Sequence, residues 1–296
     1  MGDDDWLAQR FEEHRQHLRA VAYRMLGSHA EADDALQDAW LRVSRADASE
    51  VENLGGWLTT IVARVCLNML RSRNTRHEVS LDSHVPDPVV RIPGVSQPED
   101  DAVLADSVGL ALLVVLDTLT PAERLAFVLH DMFDMPFDEI ASMTGRSPGA
   151  ARQLASRARQ RVKGAAPGHP DTDLARQRQV VDAFFAAARD GDFDALAALL
   201  HPDAVLRIDG GVRLAAASRA LRGKAAVSRQ AGSGLRPLLT RPDTVLRPAL
   251  VNGAAGMLVL RGERLGAVVG FTIIDGGILE IDALSDPERL DAMVLP

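Results

Sequence analysis

The 296-residue sequence predicts a multidomain protein, with two small all-α units followed by an α+β domain. Three observations lead there. Apolar residues recur at helical spacing as far as residue 163, on stretches whose opposite faces carry concentrated charge. Beyond His201 the period shortens towards two, and strand-like runs alternate with Asn-Gly and Asp-Gly turn signals. Between the two textures lies Gly164 to Asp171, GAAPGHPD, a Gly/Pro-rich boundary.

The N-terminal part opens with a helical stripe of Leu7, Phe11, Leu18, Val21, Ala22 and Met25 that ends at Gly27. Ser28 can cap a second helix with Glu31 three residues later. Its apolar face is Ala32, Ala35, Leu36, Ala39, Trp40 and Val43. The far face shows Asp33, Asp34, Gln37, Asp38 and Leu41. An acidic face is ordinarily just solvated, but a leucine among the acids points to a docking surface for a basic partner. After a polar loop, Ala46 to Gly56, a third helix runs from Trp57 to Arg73. Leu58, Ile61, Val62, Val65 and Met69 form its inner stripe, and Thr60, Arg64, Asn68 and Arg71 lie opposite. Residues 64 to 76 hold four arginines and no acid.

The connector, 77–106, contains Pro86, Pro88, Pro93, Pro98 and Gly94, and reads as extended and mobile. Helical pattern resumes near Ser107. Thr120, Pro121 and Glu123 supply a cap, a first-turn proline and a capping-box acid. A short helix over Phe137 to Met143 ends at Gly145, where the chain turns sharply. Ser147 and Pro148 then start a last helix with Ala151, Leu154, Ala155, Ala158 and Val162 inward. Arg152, Gln153, Ser156, Arg157 and Gln160 face away, and residues 146 to 163 hold five Arg and one Lys against no acid. This is the pattern of a helix-turn-helix, whose second helix enters the major groove by its N-terminal part. Ser147, Ala150 and Gln153 are candidates for base edges, with Arg152, Arg157 and Arg159 on phosphate. A solvated face on a helical hairpin is the structural alternative.

In the last part, Leu174 to Arg189 reads as a helix, and a shorter one ends at Leu200. A helical piece is expected around Ala215 to Arg229. Strands are expected over Asp243–Val251, Ala255–Arg261, Gly266–Ile274 and Ile278–Leu284. Helices first and a mostly antiparallel sheet after describe an α+β domain curled around a cavity. His201, Asp203, Asp209 and Asp282 are its candidate acids and bases, whereas Asp275 belongs to a Gly-Gly turn.

Charge limits the function classes. The net charge is −8. Residues 1–164 carry 18 Lys/Arg against 25 Asp/Glu, and 165–296 carry 15 against 16. A protein that simply coats nucleic acid would be basic overall, so this chain needs local patches or a partner. No run approaches the roughly 18 apolar residues of a membrane helix, and the acidic start MGDDDW is not expected to be a signal peptide. The lone cysteine, Cys66, excludes an intrachain disulfide, fits a reducing cytoplasm and sits in a helical core pattern. Neither a metal-ligand cluster nor a phosphate-binding glycine loop nor a nucleophile elbow is present, so no metal and no cofactor are expected.

Three stretches resemble extracytoplasmic-function sigma factors, in that family's order. FEEHRQHLRAVAYRMLGSHAEADDALQDAWLRV and NLGGWLTTIVARVCLNMLRSRNTR are similar to its region 2 helical bundle (6–76). LTPAERLAFVLHDMFDMPFDEIASMTGRSPGAARQLASRARQRV is similar to its region 4 helix-turn-helix (107–164). The resemblance implies that Asp34, Gln37, Asp38 and Leu41 dock on the β′ clamp helices of RNA polymerase core. Trp57, Arg64, Asn68 and Arg71 would read the −10 element, the Ala46 to Gly56 loop would lie at the base-capturing loop, and the helix after Pro148 would read the −35 element of promoter DNA. After a linker (165–173), DLARQRQVVDAFFAAARDGDFDALAALLHPDAVLRIDGG resembles the SnoaL-like fold (174–284) of polyketide cyclases and ketosteroid isomerases, with a tail at 285–296. Sigma factors with this extension use it against the connector and core domains to tune activity. Their Asp-Gly-Gly-Gly-Lys motif reads Asp209-Gly210-Gly211-Val212-Arg213 here. Their tail motif Asn-Pro-Asp-Lys-Leu reads Asp286-Pro287-Glu288-Arg289-Leu290, and Trp-Leu-Pro-Glu-Pro is read at Arg91-Ile92-Pro93-Gly94-Val95. His201, Asp203 and Asp209 are the expected residues of any small-molecule pocket. Two rivals stay open: a ligand-responsive helix-turn-helix regulator that acts without polymerase, and a cyclase- or isomerase-like enzyme on a helical module.

Overall fold

A computed structural model describes residues 3–46, 51–76, 83–94, 109–165 and 170–293. Parts of the expected base-capturing loop, connector and Gly/Pro boundary, and Val95 of the expected connector motif, lie outside them. The chain divides into two compact units, Met1–Val79 with Val115–Ala166 and Ser80–Val114 with Pro167–Pro296.

The first unit is helical. α1 (Asp3–Leu26), α2 (His29–Val43) and α3 (Leu54–Arg76) pack around Leu18, Tyr23, Met25, Leu36, Leu58 and Leu67, none more than 2% exposed. Gly27 takes the left-handed conformation that ends α1, and the Ser28 hydroxyl accepts from the Glu31 amide. Cys66 belongs to this core, where burial pushes its thiol up to about 12 and leaves it inert. After α4 (Leu110–Asp117), of which only Val115–Asp117 belong to this unit, α5 (Pro121–Phe127) carries the expected Thr120/Glu123 capping box and runs into a π-turn, Val128–Met132. α6 (Phe137–Thr144) ends at left-handed Gly145, and α7 (Pro148–Ala165) is capped by Ser147, whose hydroxyl accepts from the Ala150 amide at 3.2 Å. Ala151, Leu154, Ala155 and Ala158 are buried, as the periodicity requires.

The sequence reads α1–α3 and α5–α7 as separate modules, yet they pack within one unit. Arg124 donates to the Arg24 carbonyl at 3.2 Å, and the Arg24 guanidinium lies 5.1 Å from the Phe133 ring centroid. Both arginines are almost wholly buried, a placement that demands partners, and each finds one in the other module.

The second unit is an α+β cone. α8 (Leu174–Asp190), α9 (Phe193–Leu199), α10 (Lys224–Gln230) and α11 (Arg236–Leu239) line one face of a seven-stranded sheet. The strands are β1 (Val90–Arg91), β2 (Leu200–Asp209), β3 (Arg219–Arg222), β4 (Thr244–Val251), β5 (Ala254–Arg261), β6 (Arg264–Ile274) and β7 (Gly277–Leu284), in the order β1-β4-β5-β6-β7-β2-β3. All neighbours are antiparallel except β2 and β7. Asn252-Gly253 and Asp275-Gly276 turn their hairpins with positive φ at both residues, as primed turns need. Phe184, Phe185 and Phe271 meet edge-on in the core. α12 (Pro287–Asp291) closes the unit.

Two expectations fail here. The helix expected over Ala215 to Arg229 is a 3-10 turn, the strand β3 and only then α10. β3 pairs with β2 from Val205↔Arg222 to Ile208↔Arg219, so ladder hydrogen bonds override the helical bias of Ala220 and Leu221. The connector is also no free tether over 83–94: Val85, Pro86, Asp87, Pro88, Val89, Val90 and Ile92 are buried, and β1 extends the sheet. Among the described residues no helix is long and apolar enough to cross a membrane.

Candidate nucleic-acid interface and partner surfaces

On α2, burial alternates as an amphipathic helix must. Ala32, Ala35, Leu36, Ala39 and Val43 are buried, while Asp34, Gln37, Asp38 and Leu41 share an exposed face. Leu41 is 53% exposed, a large apolar side chain left in water beside two carboxylates. Asp33 is tied to Arg19 at 3.0 Å and is not part of that open acidic surface.

On α3, Arg64, Asn68 and Arg71 are exposed in one row and Trp57 is half-buried near its start. Leu58, Val62, Val65, Cys66 and Leu67 anchor the opposite side. Arg73 turns back to the Leu26 carbonyl and the Glu31 carboxylate, so it fixes the helix and leaves the open row to its neighbours.

On α7, Ser147, Arg152, Gln153, Ser156 and Arg157 are exposed and Ala150 is half-buried. The cations differ in their partners. Arg157 and Arg161 both reach Glu123, at 3.1 and 2.6 Å, and Arg159 pairs with Asp131. Arg152 stacks over Phe137, 5.5 Å from the ring centroid. Burial alone would raise the Glu123 carboxyl. The Thr120 hydrogen bonds and the two arginines overcome that and hold it below the usual range. The Arg157 and Arg159 charges expected on phosphate are therefore partly neutralised within the motif.

The most heavily bonded site in the second unit joins two of the expected motifs, at Asp209 and Arg289, to a connector segment that the sequence reading did not single out. Asp209, at the end of β2, is 4% exposed. Its carboxylate accepts from the Val85 amide at 3.0 Å, the Gly211 amide at 3.0 Å and Arg289 at 2.9 Å, and lies 3.1 Å from His84 Nδ1. Arg289, on α12, also donates to Asp87 at 2.6 Å and to the Val85 carbonyl at 2.6 Å. Val89 and Asn252 exchange two further hydrogen bonds, at 2.8 and 3.1 Å. Burial would push the Asp209 carboxyl up. His84, the two amides and the Arg289 charge hold it far below the ordinary carboxylate value instead. Residues 83–92 thus form a strap, latched by the end of β2 and by the tail.

The strap corrects one motif assignment. His84-Val85-Pro86-Asp87-Pro88, rather than Arg91 to Val95, carries the apolar-Pro-acid-Pro pattern of Trp-Leu-Pro-Glu-Pro, and it is the segment that meets Asp209 and Arg289. The signal was present in the sequence as an acid between two prolines. Gly211 explains the other motif: at φ 64°, a Cβ there would lie 2.1 Å from Asp286 Oδ2, the carboxylate that caps α12. Gly211→Ala is expected to cost roughly 1–3 kcal/mol through conformational strain and displacement of that cap. Gly262→Ala, at φ 59° with nothing within 4 Å, should incur only the conformational part. Thermal denaturation of the two variants side by side measures the difference.

A cavity of about 540 Å³ opens in the cone, lined by α8, β2, β5, β6, β7 and α12. None of His201, Asp203 and Asp209 lines it, which corrects their assignment to a pocket. Strand parity is the reason: Leu206 and Ile208 face the cavity, so Asp209 faces the other way. His201 and Asp203 sit at the exposed start of β2, where the Asp203 side chain is 84% exposed. Asp282 is also on the far face, buried against Arg207 at 2.9 Å with Glu280 beside it. Burial pushes the Asp282 carboxyl up despite the guanidinium.

Comparison with known proteins gives consistent matches. Residues 10–76 match the family Sigma-70 region 2 and residues 109–162 match Sigma-70, region 4. The chain is 38% identical to the ECF RNA polymerase sigma factor SigJ of Mycobacterium tuberculosis, over 94% of this chain and 91% of that protein. It is 33% identical to the probable ECF RNA polymerase sigma factor SigI of the same organism, over 99% and 98%. The crystal structure of M. tuberculosis SigJ superposes with a TM-score of 0.73 at 34% identity, covering 98% of this chain and all of that one.

Proposed function

The chain belongs to the extracytoplasmic-function RNA polymerase sigma factors, and we propose that its own latch governs when it acts as one. Sigma factors bind RNA polymerase core and promoter DNA, and this family does not rely on catalysis. In this chain the exposed face Asp34, Gln37, Asp38 and Leu41 would meet the β′ clamp, an acidic patch with an apolar centre suited to a basic, partly apolar partner. Arg64, Asn68 and Arg71, with Trp57 at the helix start, would hold the melted −10 strand: cations for phosphate and a flat aromatic for an unstacked base. Ser147, Ala150 and Gln153 would approach −35 base edges, with Arg152, Ser156, Arg157 and Arg159 nearer phosphate.

The C-terminal unit would act as a regulator through the strap. A connector seated on the cone would be withheld from polymerase and DNA until the latch lets go. The single observation that carries this reading is Arg289 bridging Asp87, Asp209 and the Val85 carbonyl. Arg289, with Asp286, Pro287 and Leu290 of the same helix, makes the tail a clamp on the connector. The test is in-vitro transcription with purified core. Arg64→Ala with Arg71→Ala should lower open-complex yield at least about tenfold with core binding unchanged, since each lost phosphate or base contact is worth about 1–3 kcal/mol. Arg289→Ala should change transcript yield without changing the intrinsic affinity of the −35 helix for DNA. A latch variant with wild-type yield at every promoter tested would remove the regulatory role.

A further inference from the structure

The cavity in the cone has a composition that selects its occupant. Its body is apolar, built by Phe184, Phe185, Leu206, Val269 and Ile281, and about 540 Å³ lies within the range of small-molecule sites. Its charged residues are Arg219, Arg261 and Arg264 against a single carboxylate, Asp291. Asp291 pairs with Arg264 at 3.4 Å, which leaves an excess of two cations. Arg219 donates to Gln230 at 3.3 Å and to the Ala217 carbonyl at 3.2 Å, and Arg261 finds no acceptor among the described residues. Among the described residues no histidine lines the cavity, and the one acid there, Asp291, is exposed and paired with Arg264.

We infer that this cavity binds an elongated apolar molecule ending in a carboxylate, and that its occupancy holds the strap in place. The first part follows from the lining: apolar walls take the chain, and the guanidinium excess takes the anionic end by charge-assisted hydrogen bonds. The second follows from residues 285–291. Pro287, Leu290 and Asp291 are cavity wall, while Arg289 between them grips Asp87, Asp209 and Val85. Ser285 lines the cavity too, and its amide and hydroxyl both donate to the Asp209 carbonyl, at 2.7 and 3.2 Å. A molecule packed against this wall binds best when α12 is seated. By linkage it stabilises the seated state, and with it the strap.

The test uses the full-length chain with dodecanoate, dodecanol and dodecyltrimethylammonium as probes, by isothermal titration. Saturable one-to-one binding of dodecanoate is expected, about tenfold tighter than either probe without an anionic end. Arg219→Gln with Arg261→Gln should weaken dodecanoate about tenfold and leave dodecanol unchanged. Both positions are partly or fully solvent-facing, so folding is not at stake. Equal affinity for the three probes, no saturable binding, or indifference to the double substitution would each overturn the assignment. For the coupling, hydrogen exchange at the Val85 and Val89 amides should slow several-fold on saturation with dodecanoate, and saturable binding with unchanged exchange would overturn it. Neither polymerase nor DNA is in this assay, so its failure leaves the transcription reading to its own test.

Discussion

Asp209→Ala should free the strap. The substitution removes the acceptor of four groups at once: the Val85 amide, the Gly211 amide, His84 and Arg289. Breaking a buried ion pair by deleting one partner costs about 3–5 kcal/mol, because the remaining charge is left without compensation. Arg289 is 23% exposed at its side chain and keeps Asp87, so a value of about 2–4 kcal/mol is expected for this site. The loss should appear as faster hydrogen exchange at Val85 and Val89 with the amides of α1–α3 unaffected. Exchange at wild-type rates would show that the carboxylate is not what holds the segment.

The same carboxylate sets the acid response. Its native pKa lies below its unfolded one, so its contribution is complete above the unfolded value of about 4 and is lost as pH falls towards the native value. The Asp209 contribution to strap docking should therefore be complete above about pH 5 and weaken only in stronger acid. Asp209→Ala should abolish that acid-dependent component.

The second large effect concerns the polymerase-facing surface. Asp34→Lys with Asp38→Lys reverses two exposed charges beside Leu41, in the middle of the proposed docking face. Like charges set against a basic partner cost several kcal/mol, enough for a loss of core binding by about a hundredfold or more. Neither residue is buried, so thermal stability should shift by less than about 0.5 kcal/mol. A pull-down with purified core, beside a melting curve, separates the two effects. Retained binding would move the interface elsewhere on the chain.

What the sequence disclosed is what local chemistry determines. Thr120 with Glu123, Ser147 with Pro148, and Asn252-Gly253 act within a few residues, and each cap and turn lies where the pattern sets it. The α2 face was equally readable, because one helical period sorts Ala32, Ala35, Leu36 and Ala39 from Asp34, Gln37, Asp38 and Leu41. The strap was not readable in that way. Val85, Asp87 and Val89 bond to Asp209, Arg289 and Asn252, between 124 and 204 residues away in sequence, and prolines bordering an acid resemble any loop until those partners are known. β3 was missed for a related reason: four residues among alanines show no period of their own, and their pairing is supplied by β2. Asp209 is the instructive case, since the parity of Leu206 and Ile208 already turned it away from the cavity.

The parts of the latch all belong to one polypeptide, so clasp and release form a unimolecular equilibrium. The released fraction is then set by internal free energies and by whatever fills the cone, and it does not vary with the amount of protein made. Raising expression multiplies free and clasped copies alike, whereas a factor restrained by a separate inhibitor escapes once it outnumbers that inhibitor.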